Sequence, residues 1–193
     1  MSSKFSRLDF LRFSALGAST LFIPRALTAA EAPKKAKKGD VNDKINIGFI
    51  GLGQQAIHLV NGFLTIPEVR VIAGCDIYDI KRNRFIERVN KYYSEKGIKN
   101  KFTIYNYPEQ LLADPNVDAV VIATPDHWHA AIAIAACKAG KDVYLEKPLT
   151  FTVYEGQRLI EAVRANNRIL QVGSMQRSMA EFIHAANVVR EGK

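Results

Sequence analysis

A glycine-rich segment is the clearest place in this sequence where the backbone itself could do chemistry. Residues 51–56 are Gly-Leu-Gly-Gln-Gln-Ala, which fits the pattern G-x-G-x-x-G/A with alanine in the third place. In that pattern Gly51 allows a tight turn, Gly53 lets the backbone approach a pyrophosphate, and Ala56 lets a helix lie against a strand. The amides and the positive end of the following helix would then meet phosphate charge.

An acidic residue stands at the spacing at which such a turn meets a ribose. Asp76 lies 20 positions beyond Ala56, directly after the apolar run Val69–Cys75. A carboxylate there accepts hydrogen bonds from the ribose hydroxyls and repels a 2′-phosphate, so NAD is favoured over NADP. Lys81 and Arg82 weaken that preference because they could hold a 2′-phosphate, although solvated surface charge is the simpler interpretation.

Two later segments place polar side chains where a cofactor could lie. Residues 124–129 are Thr-Pro-Asp-His-Trp-His and residues 146–149 are Glu-Lys-Pro-Leu, each after a predicted strand. Ligands of an open parallel sheet bind beyond the carboxyl ends of its strands, and a lysine there could exchange a proton with a substrate. The residues we expect to contact a dinucleotide are Gly51, Gly53, Gln54, Gln55, Ala56, Asp76, Thr124, Pro125, His127, His129, Glu146 and Lys147.

Each of these two segments also has a purely structural interpretation. Asp126 could cap the helix that follows, with Trp128 packed beside it. Glu146 and Lys147 could form an exposed ion pair at a strand end. The pair His127 and His129 suggests a metal, but no third ligand has a suitable spacing, so we expect no metal site.

The elements that must position these residues alternate along the chain. Short apolar runs separated by amphipathic segments predict an α/β fold, a doubly wound parallel (Rossmann) sheet in the order 3-2-1-4-5-6. The predicted strands are Ile45–Ile50, Val69–Cys75, Phe102–Tyr105, Ala119–Ala123, Val143–Leu145 and Ile169–Val172. The predicted helices are Gln54–Leu64, Ile80–Lys96, Pro108–Ala113, His129–Ala139, Val153–Ala165 and Glu181–Arg190, with Ala185, Val188 and Val189 of the last facing a partner.

Composition and charge exclude several classes of protein. The 193 residues are 48% hydrophobic and 24% charged, as in an ordinary globular protein. Five of the eight net positive charges lie in residues 1–44, so the folded part has no basic stripe and nucleic-acid binding is not expected. The two cysteines, Cys75 and Cys137, are too far apart for a disulfide framework or zinc site, which predicts buried small side chains.

The amino-terminal 32 residues are expected to be a secretory signal peptide. Three basic residues precede an apolar run, residues 13–23, that is too short to span a bilayer, and Ala30 or Ala32 could precede the cleavage point. An amphipathic helix at the domain edge is the alternative. No lipobox cysteine follows, so no stable membrane anchor is expected. Residues 33–44 predict a solvated linker.

The leader also resembles a known export signal. Residues 6–12, Ser-Arg-Leu-Asp-Phe-Leu-Arg, are similar to the twin-arginine pattern Ser-Arg-Arg-x-Phe-Leu-Lys. Leu8 stands where that pattern has its second arginine. Export, and a periplasmic location, are therefore expected, while the twin-arginine route depends on Arg7 alone.

The combined motifs resemble the Gfo/Idh/MocA family of NAD(P)-dependent oxidoreductases of sugars, cyclitols and related polyols. The resemblance covers residues 45–193 and includes Val-Gly-Ser-Met-Gln-Arg at 172–177. It implies that Lys147 contacts the substrate hydroxyl and assists proton transfer, and that His129 lies near the cofactor. It also implies a Rossmann domain at 45–173 and the start of a second domain at 174–193, which would complete a carbohydrate-like substrate site and a homo-oligomer interface.

Two other functions stay open at this point. Exported members of the superfamily include NAD-dependent α-N-acetylgalactosaminidases, so the family resemblance also allows a glycosidase. A nucleotide-binding fragment without turnover is the third interpretation, because only 20 residues follow Gly173.

Overall fold

Six parallel strands form one sheet in the computed structural model, which describes residues 44–192. Their order is β3-β2-β1-β4-β5-β6, which confirms the predicted doubly wound α/β sheet. The predicted signal peptide and residues 33–43 of the linker lie outside the described residues. The strands are β1 (Ile45–Ile50), β2 (Val69–Cys75), β3 (Thr103–Tyr105), β4 (Ala119–Ile122), β5 (Asp142–Leu145) and β6 (Leu170–Val172).

Helices connect these strands, as right-handed crossovers between parallel strands require. The helices are α1 (Gln54–Phe63), α2 (Asp79–Glu95), α3 (Pro108–Leu112), α4 (His129–Lys138), α5 (Val153–Ala165) and α6 (Ala180–Arg190). Two short 3-10 turns, Asp126–Trp128 and Met175–Ser178, precede α4 and α6. None of the described helices is both long and apolar enough to cross a bilayer.

The core consists of two apolar layers, one on each face of the sheet. Phe49 and Val121 belong to the layer that includes α1 and α2, whereas Ile50 and Ile122 belong to the layer under α3, α4 and α5. Neighbouring residues of one strand point to opposite faces, so strands covered on both sides must be almost continuously apolar. The covered sheet leaves its carboxyl edge as the place where loops meet.

The structure corrects several predicted boundaries by one residue. β4 ends at Ile122 rather than Ala123, and β6 begins at Leu170 rather than Ile169. Helix α2 begins at Asp79 rather than Ile80 and ends at Glu95. The two 3-10 turns were not predicted, because such turns have no apolar periodicity to reveal them.

The last helix forms as predicted. None of the described side chains of α6 is buried: Ala185 and Val189 are exposed and Val188 is partly covered. The expected contact of these three residues with a partner stays a prediction.

Candidate functional site

The glycine turn between β1 and α1 has the two properties that a phosphate-binding turn needs. Gly51 has φ +82°, and a Cβ there would lie 2.8 Å from backbone atoms of Ala123 and Thr124. A side chain at this position would therefore be both strained and crowded. At Gly53 a Cβ would meet nothing within 4 Å, so the backbone is open to a ligand. Ala56 is buried against the sheet.

Asp76 points toward this turn. Its Oδ2 accepts a hydrogen bond from the Leu52 amide at 2.8 Å, and its Oδ1 accepts one from the Tyr78 amide at 3.0 Å. A carboxylate offers about four acceptor positions, so two amides leave room for ribose hydroxyls. The Asp76 carboxylate thus holds the turn through two backbone amides and keeps acceptor positions beside the turn.

Arg84 is part of this arrangement, although the sequence did not indicate it. Its Nη2 donates to the carbonyl oxygen of Leu52 at 3.2 Å. The Leu52 peptide is therefore held on both sides, by Asp76 at its N–H and by Arg84 at its carbonyl. Arg84 belongs to the polar side of α2, where charge alone does not distinguish it from its neighbours.

The two cations near Asp76 are in contact with its surroundings rather than free in solvent. Lys81 Nζ lies 3.9 Å from Asp76 Oδ2 and 4.6 Å from the centre of the Tyr78 ring. Arg82 donates to the backbone oxygen of Asp76 and also pairs with Asp79. Arg82, whose side chain is 12% exposed, is therefore not a solvated surface charge, whereas the Lys81 side chain is 39% exposed and keeps contact with solvent.

His129 joins the loops that follow β4 and β5. Its ring is 1% exposed, with Nδ1 2.6 Å from the Pro148 oxygen and Nε2 2.9 Å from the Thr124 oxygen. His129 therefore positions two loops of the edge, while its predicted contact with a cofactor stays a prediction.

Residues 125–128 of the 124–129 loop lie at the surface. Pro125 and His127 are exposed, and Trp128 is 54% exposed rather than packed. The Asp126 side chain does not cap a helix, so the structural interpretation of this loop is wrong. Thr124 Oγ1 is buried and has no hydrogen-bond partner among the described residues.

Glu146 is a buried carboxylate, not half of an exposed ion pair. It is 4% exposed, and its Oε1 accepts from Gln55 Nε2 at 2.9 Å. Its Oε2 accepts from the Lys147 amide at 3.1 Å. The Lys147 side chain is exposed, and the Lys147-Pro148 peptide bond is cis.

A cavity of about 370 Å³ opens above Glu146 and Lys147. Gly173 forms part of its wall, and a Cβ there would lie 2.9 Å from Glu146 Oε1 and 3.0 Å from the Tyr144 hydroxyl. Burial raises the pKa of Tyr144, and the Glu146 charge raises it further. The lining residues are Gln55, His58, Glu146, Lys147, Gly173, Met175 and Gln176.

The structure thus brings the predicted residues of three loops to one sheet edge. The turn at 51–56 contacts Asp76 on one side and, through Gln55, Glu146 on the other. His58 lines the cavity but was not predicted, because a single histidine on a helix has no distinguishing spacing. Within residues 44–192 there is no group of three or more His, Cys, Asp or Glu that could hold a metal.

Comparison with known proteins gives a consistent result. The model of the Gfo/Idh/MocA oxidoreductase family, NAD-binding Rossmann fold, matches residues 45–174. An inositol 2-dehydrogenase of Salmonella typhimurium is 32% identical over 77% of this chain and 42% of its own length. A glycosyl hydrolase family 109 protein of Shewanella sp. strain ANA-3 is 28% identical over 98% of this chain and 44% of its own length.

Solved structures agree with this match. A 3-ketoreductase from Actinomadura kijaniata, in complex with NADP and TDP-benzene, superposes with a TM-score of 0.67 at 27% identity. The match covers 78% of this chain and 43% of the ketoreductase. The chain therefore spans less than half the length of these relatives, and over residues 45–174 it belongs to the Gfo/Idh/MocA oxidoreductase family, with that family's NAD-binding Rossmann fold.

Proposed function

We propose that this chain is the cofactor-binding part of an NAD(P)-dependent oxidoreductase acting on an alcohol of a sugar, cyclitol or related polyol. The observation that supports it best is the shared sheet edge, where the open turn at Gly53 and the Lys147 loop meet through Gln55 and Glu146. An amide-lined turn binds phosphate, and a lysine beside it serves acid–base chemistry. A dehydrogenase needs a site for its dinucleotide and a group that moves the hydroxyl proton, and at this edge the two lie next to each other.

The residues at this edge fit a nicotinamide dinucleotide. Gly53 leaves space at the turn, and Asp76 has acceptor positions left for a ribose. When bound, the nicotinamide accepts or supplies the hydride. The chain's own work is to hold the pyrophosphate at the α1 amides, to fix the ribose with Asp76 and to move the hydroxyl proton at Lys147 Nζ.

Binding is tested by titrating the purified chain with NADH and following the fluorescence of the reduced nicotinamide, excited directly. Gly53→Trp fills the open side of the turn and should abolish binding. Gly62→Trp is the matched control, since a Cβ at Gly62 also meets nothing within 4 Å but lies at the far end of α1. Absence of binding by the wild type, or equal binding by both variants, would exclude the proposal.

Turnover is tested separately, because cofactor binding alone also fits a non-catalytic nucleotide-binding fragment. Polyol-dependent reduction of NAD by the full-length protein should fall at least about 100-fold in Lys147→Met, since a positioned acid–base group contributes roughly 10²–10⁴ in rate. NADH affinity should change much less. A Lys147→Met protein with undiminished turnover would remove the lysine from the mechanism.

We infer a preference for NAD over NADP from Asp76. A 2′-phosphate would lie against a carboxylate that is already bonded to two amides and cannot turn away without losing them. Lys81, 3.9 Å away, reduces this repulsion without removing it. The wild type should therefore bind NADH more tightly than NADPH. Asp76→Ala should reduce the ratio of the NADPH dissociation constant to the NADH dissociation constant. A wild type that binds NADPH more tightly would contradict the inferred preference.

A glycosidase of the α-N-acetylgalactosaminidase type is the second candidate. It is favoured by the length of the match to the family 109 protein, which extends over 98% of this chain. Release of N-acetylgalactosamine without net accumulation of NADH would identify it. Net NADH formation from a free polyol would identify the dehydrogenase instead.

We also propose export to the periplasm, from the basic and apolar pattern of residues 1–32. A protein that leaves the cytoplasm folded can carry its dinucleotide with it, which suits a twin-arginine route. Replacing Arg7 by Lys and following the compartment of the product tests this route. If the Arg7→Lys protein is exported as well as the wild type, the twin-arginine route is disfavoured. If the wild-type protein stays in the cytoplasm, export itself is excluded.

A further inference from the structure

We infer that Gln55 is a positioning residue that sets the place of Lys147 through the buried carboxylate of Glu146. This inference rests on the proposed function, in which Lys147 moves the substrate proton. It gives Gln55 a role beyond contact with the cofactor. It also links the turn that binds phosphate to the group that does acid–base chemistry.

The contact that supports the inference joins residues far apart in the sequence. Gln55 Nε2 donates to Glu146 Oε1 at 2.9 Å, and Glu146 Oε2 accepts from the Lys147 amide at 3.1 Å. No ion pair of Glu146 occurs within residues 44–192. These two N–H groups are therefore its hydrogen-bond donors in the described part of the chain, and Gln55 provides half of them.

The carboxylate has little freedom to find another partner. Glu146 is 4% exposed, and Gly173 approaches so closely that a Cβ there would lie 2.9 Å from Oε1. A buried carboxylate that loses a donor keeps its desolvation cost without the compensating bond. The carboxylate is then no longer fixed in this position, and because its second oxygen accepts from the Lys147 amide, we expect the lysine to move with it.

The position of Gln55 in the fold gives this contact its consequence. Gln55 lies in the first turn of α1, two positions after the open glycine of the phosphate turn. A dinucleotide held by that turn also fixes the helix end from which Gln55 projects. We therefore expect cofactor binding and the place of Lys147 to be coupled, so that each changes when this hydrogen bond is lost.

The first experiment needs no cofactor. Lysines of the full chain are ¹³C-methylated, and the Lys147 resonance is assigned as the signal missing from Lys147→Arg. Gln55→Met keeps the side-chain length but removes the donor, and it should displace the Lys147 resonance by more than its linewidth. Gln157→Met, an exposed glutamine of α5, is the matched control and should leave the resonance unchanged. An unchanged resonance in Gln55→Met would overturn the inference.

Exchanging the hydrogen-bond donor Gln55 and the acceptor Glu146 distinguishes positioning of Lys147 from a general disturbance of the structure. Gln55→Glu alone places two carboxylates together, so the resonance should be displaced at neutral pH and return toward the wild-type position in acid, where a shared proton restores a hydrogen bond. The double variant Gln55→Glu, Glu146→Gln reverses donor and acceptor and should recover at least half of the displacement. A double variant displaced further than both single variants would contradict the inference.

The second experiment tests the coupling to cofactor. Added NADH should move the Lys147 resonance in the wild type and in Gln157→Met, and move it less than half as far in Gln55→Met at saturation. A wild type that does not bind NADH would exclude the proposed function, while the cofactor-free displacement would still decide the role of Gln55. An equal movement in all three proteins would overturn the coupling.

Discussion

The two ends of β5 each bury a charged side chain, with opposite consequences. Lys141 precedes the strand and is 7% exposed, and Glu146 follows it and is 4% exposed. Lys141 Nζ donates to the carbonyl oxygens of Asp114 and Val117, both at 2.7 Å. Glu146 accepts from Gln55 and Lys147 and borders a cavity. Lys141 therefore holds a loop of the fold through its carbonyls, whereas Glu146 borders space that a ligand could occupy.

This difference shows how an α/β sheet separates stability from function. At the amino edge the lysine donates to two backbone carbonyls of the segment before β4, so its charge is used within the fold. At the carboxyl edge Glu146 is held by the side chain of Gln55, which belongs to α1. The position of Glu146 therefore depends on the position of α1. Ligands bind at carboxyl edges, and there Glu146 is a buried charge that lines a cavity.

The largest effect should come from Lys141. Lys141→Met leaves the Val117 carbonyl without a donor and removes one of the two donors to the Asp114 carbonyl, which should lower the free energy of unfolding by about 1–3 kcal/mol. NADH affinity should not change, because the site is at the opposite edge. Denaturant unfolding and NADH titration measure the two quantities, with the exposed Lys138→Met as control. If Lys141→Met were as stable as the wild type but bound NADH more weakly, Lys141 would serve binding rather than stability, the reverse of what we expect.

The pH dependence of stability should sharpen the same contrast. Burial lowers the pKa of Lys141 below its usual 10.5, and the charges of Asp114 and Asp118 offset part of this decrease. Between the lowered value and 10.5 the unfolded chain binds the extra proton, so stability rises with pH in that interval, by at most about 1.4 kcal/mol per pH unit. Below the lowered value the contribution is constant.

The measurement is a difference between two proteins, because tyrosines and cysteines titrate in the same range. The unfolding free energy of the wild type minus that of Lys141→Met should increase as the pH rises through this interval. Lys138→Met, at an exposed position, is measured alongside as the control for the loss of a lysine. A difference that falls with pH would mean that the fold raises the pKa of Lys141.

Sequence reasoning was most reliable where one local pattern determines the result. The strand order follows from the alternation of strands and helices along the chain. The turn at Gly51 and the direction of Asp76 follow from a fixed spacing within the first β-α-β unit. Cys75 and Cys137 are free and buried, as predicted from their isolation. Burial raises the pKa of Cys75 to about 12, and the Asp76 charge adds to the increase.

Contacts between distant segments could not be predicted in this way. Gln55 and Glu146 are 91 positions apart, and their hydrogen bond depends on the placement of β1 beside β4 and β5. Glu146 was judged by its charged neighbour in the sequence, which suggested an exposed ion pair, while its side chain points inward. Lys141 escaped notice for the same reason: a lysine in a turn is normally solvated.

The smallest effect on stability should come from Glu146, and this is the sharpest test of the comparison. Glu146→Gln keeps the shape of the side chain, and its amide oxygen can still accept from either Gln55 or the Lys147 amide. Its free energy of unfolding should therefore change by less than about 1 kcal/mol, the value of a single hydrogen bond. NADH affinity should nevertheless fall roughly 3–10-fold, which corresponds to about 0.7–1.4 kcal/mol, because the turn and the Lys147 loop are no longer held together by both bonds. Glu87→Gln, on the exposed side of α2, controls for the loss of a negative charge. If Glu146→Gln unfolded as easily as Lys141→Met and bound NADH like the wild type, both ends of β5 would serve stability alone.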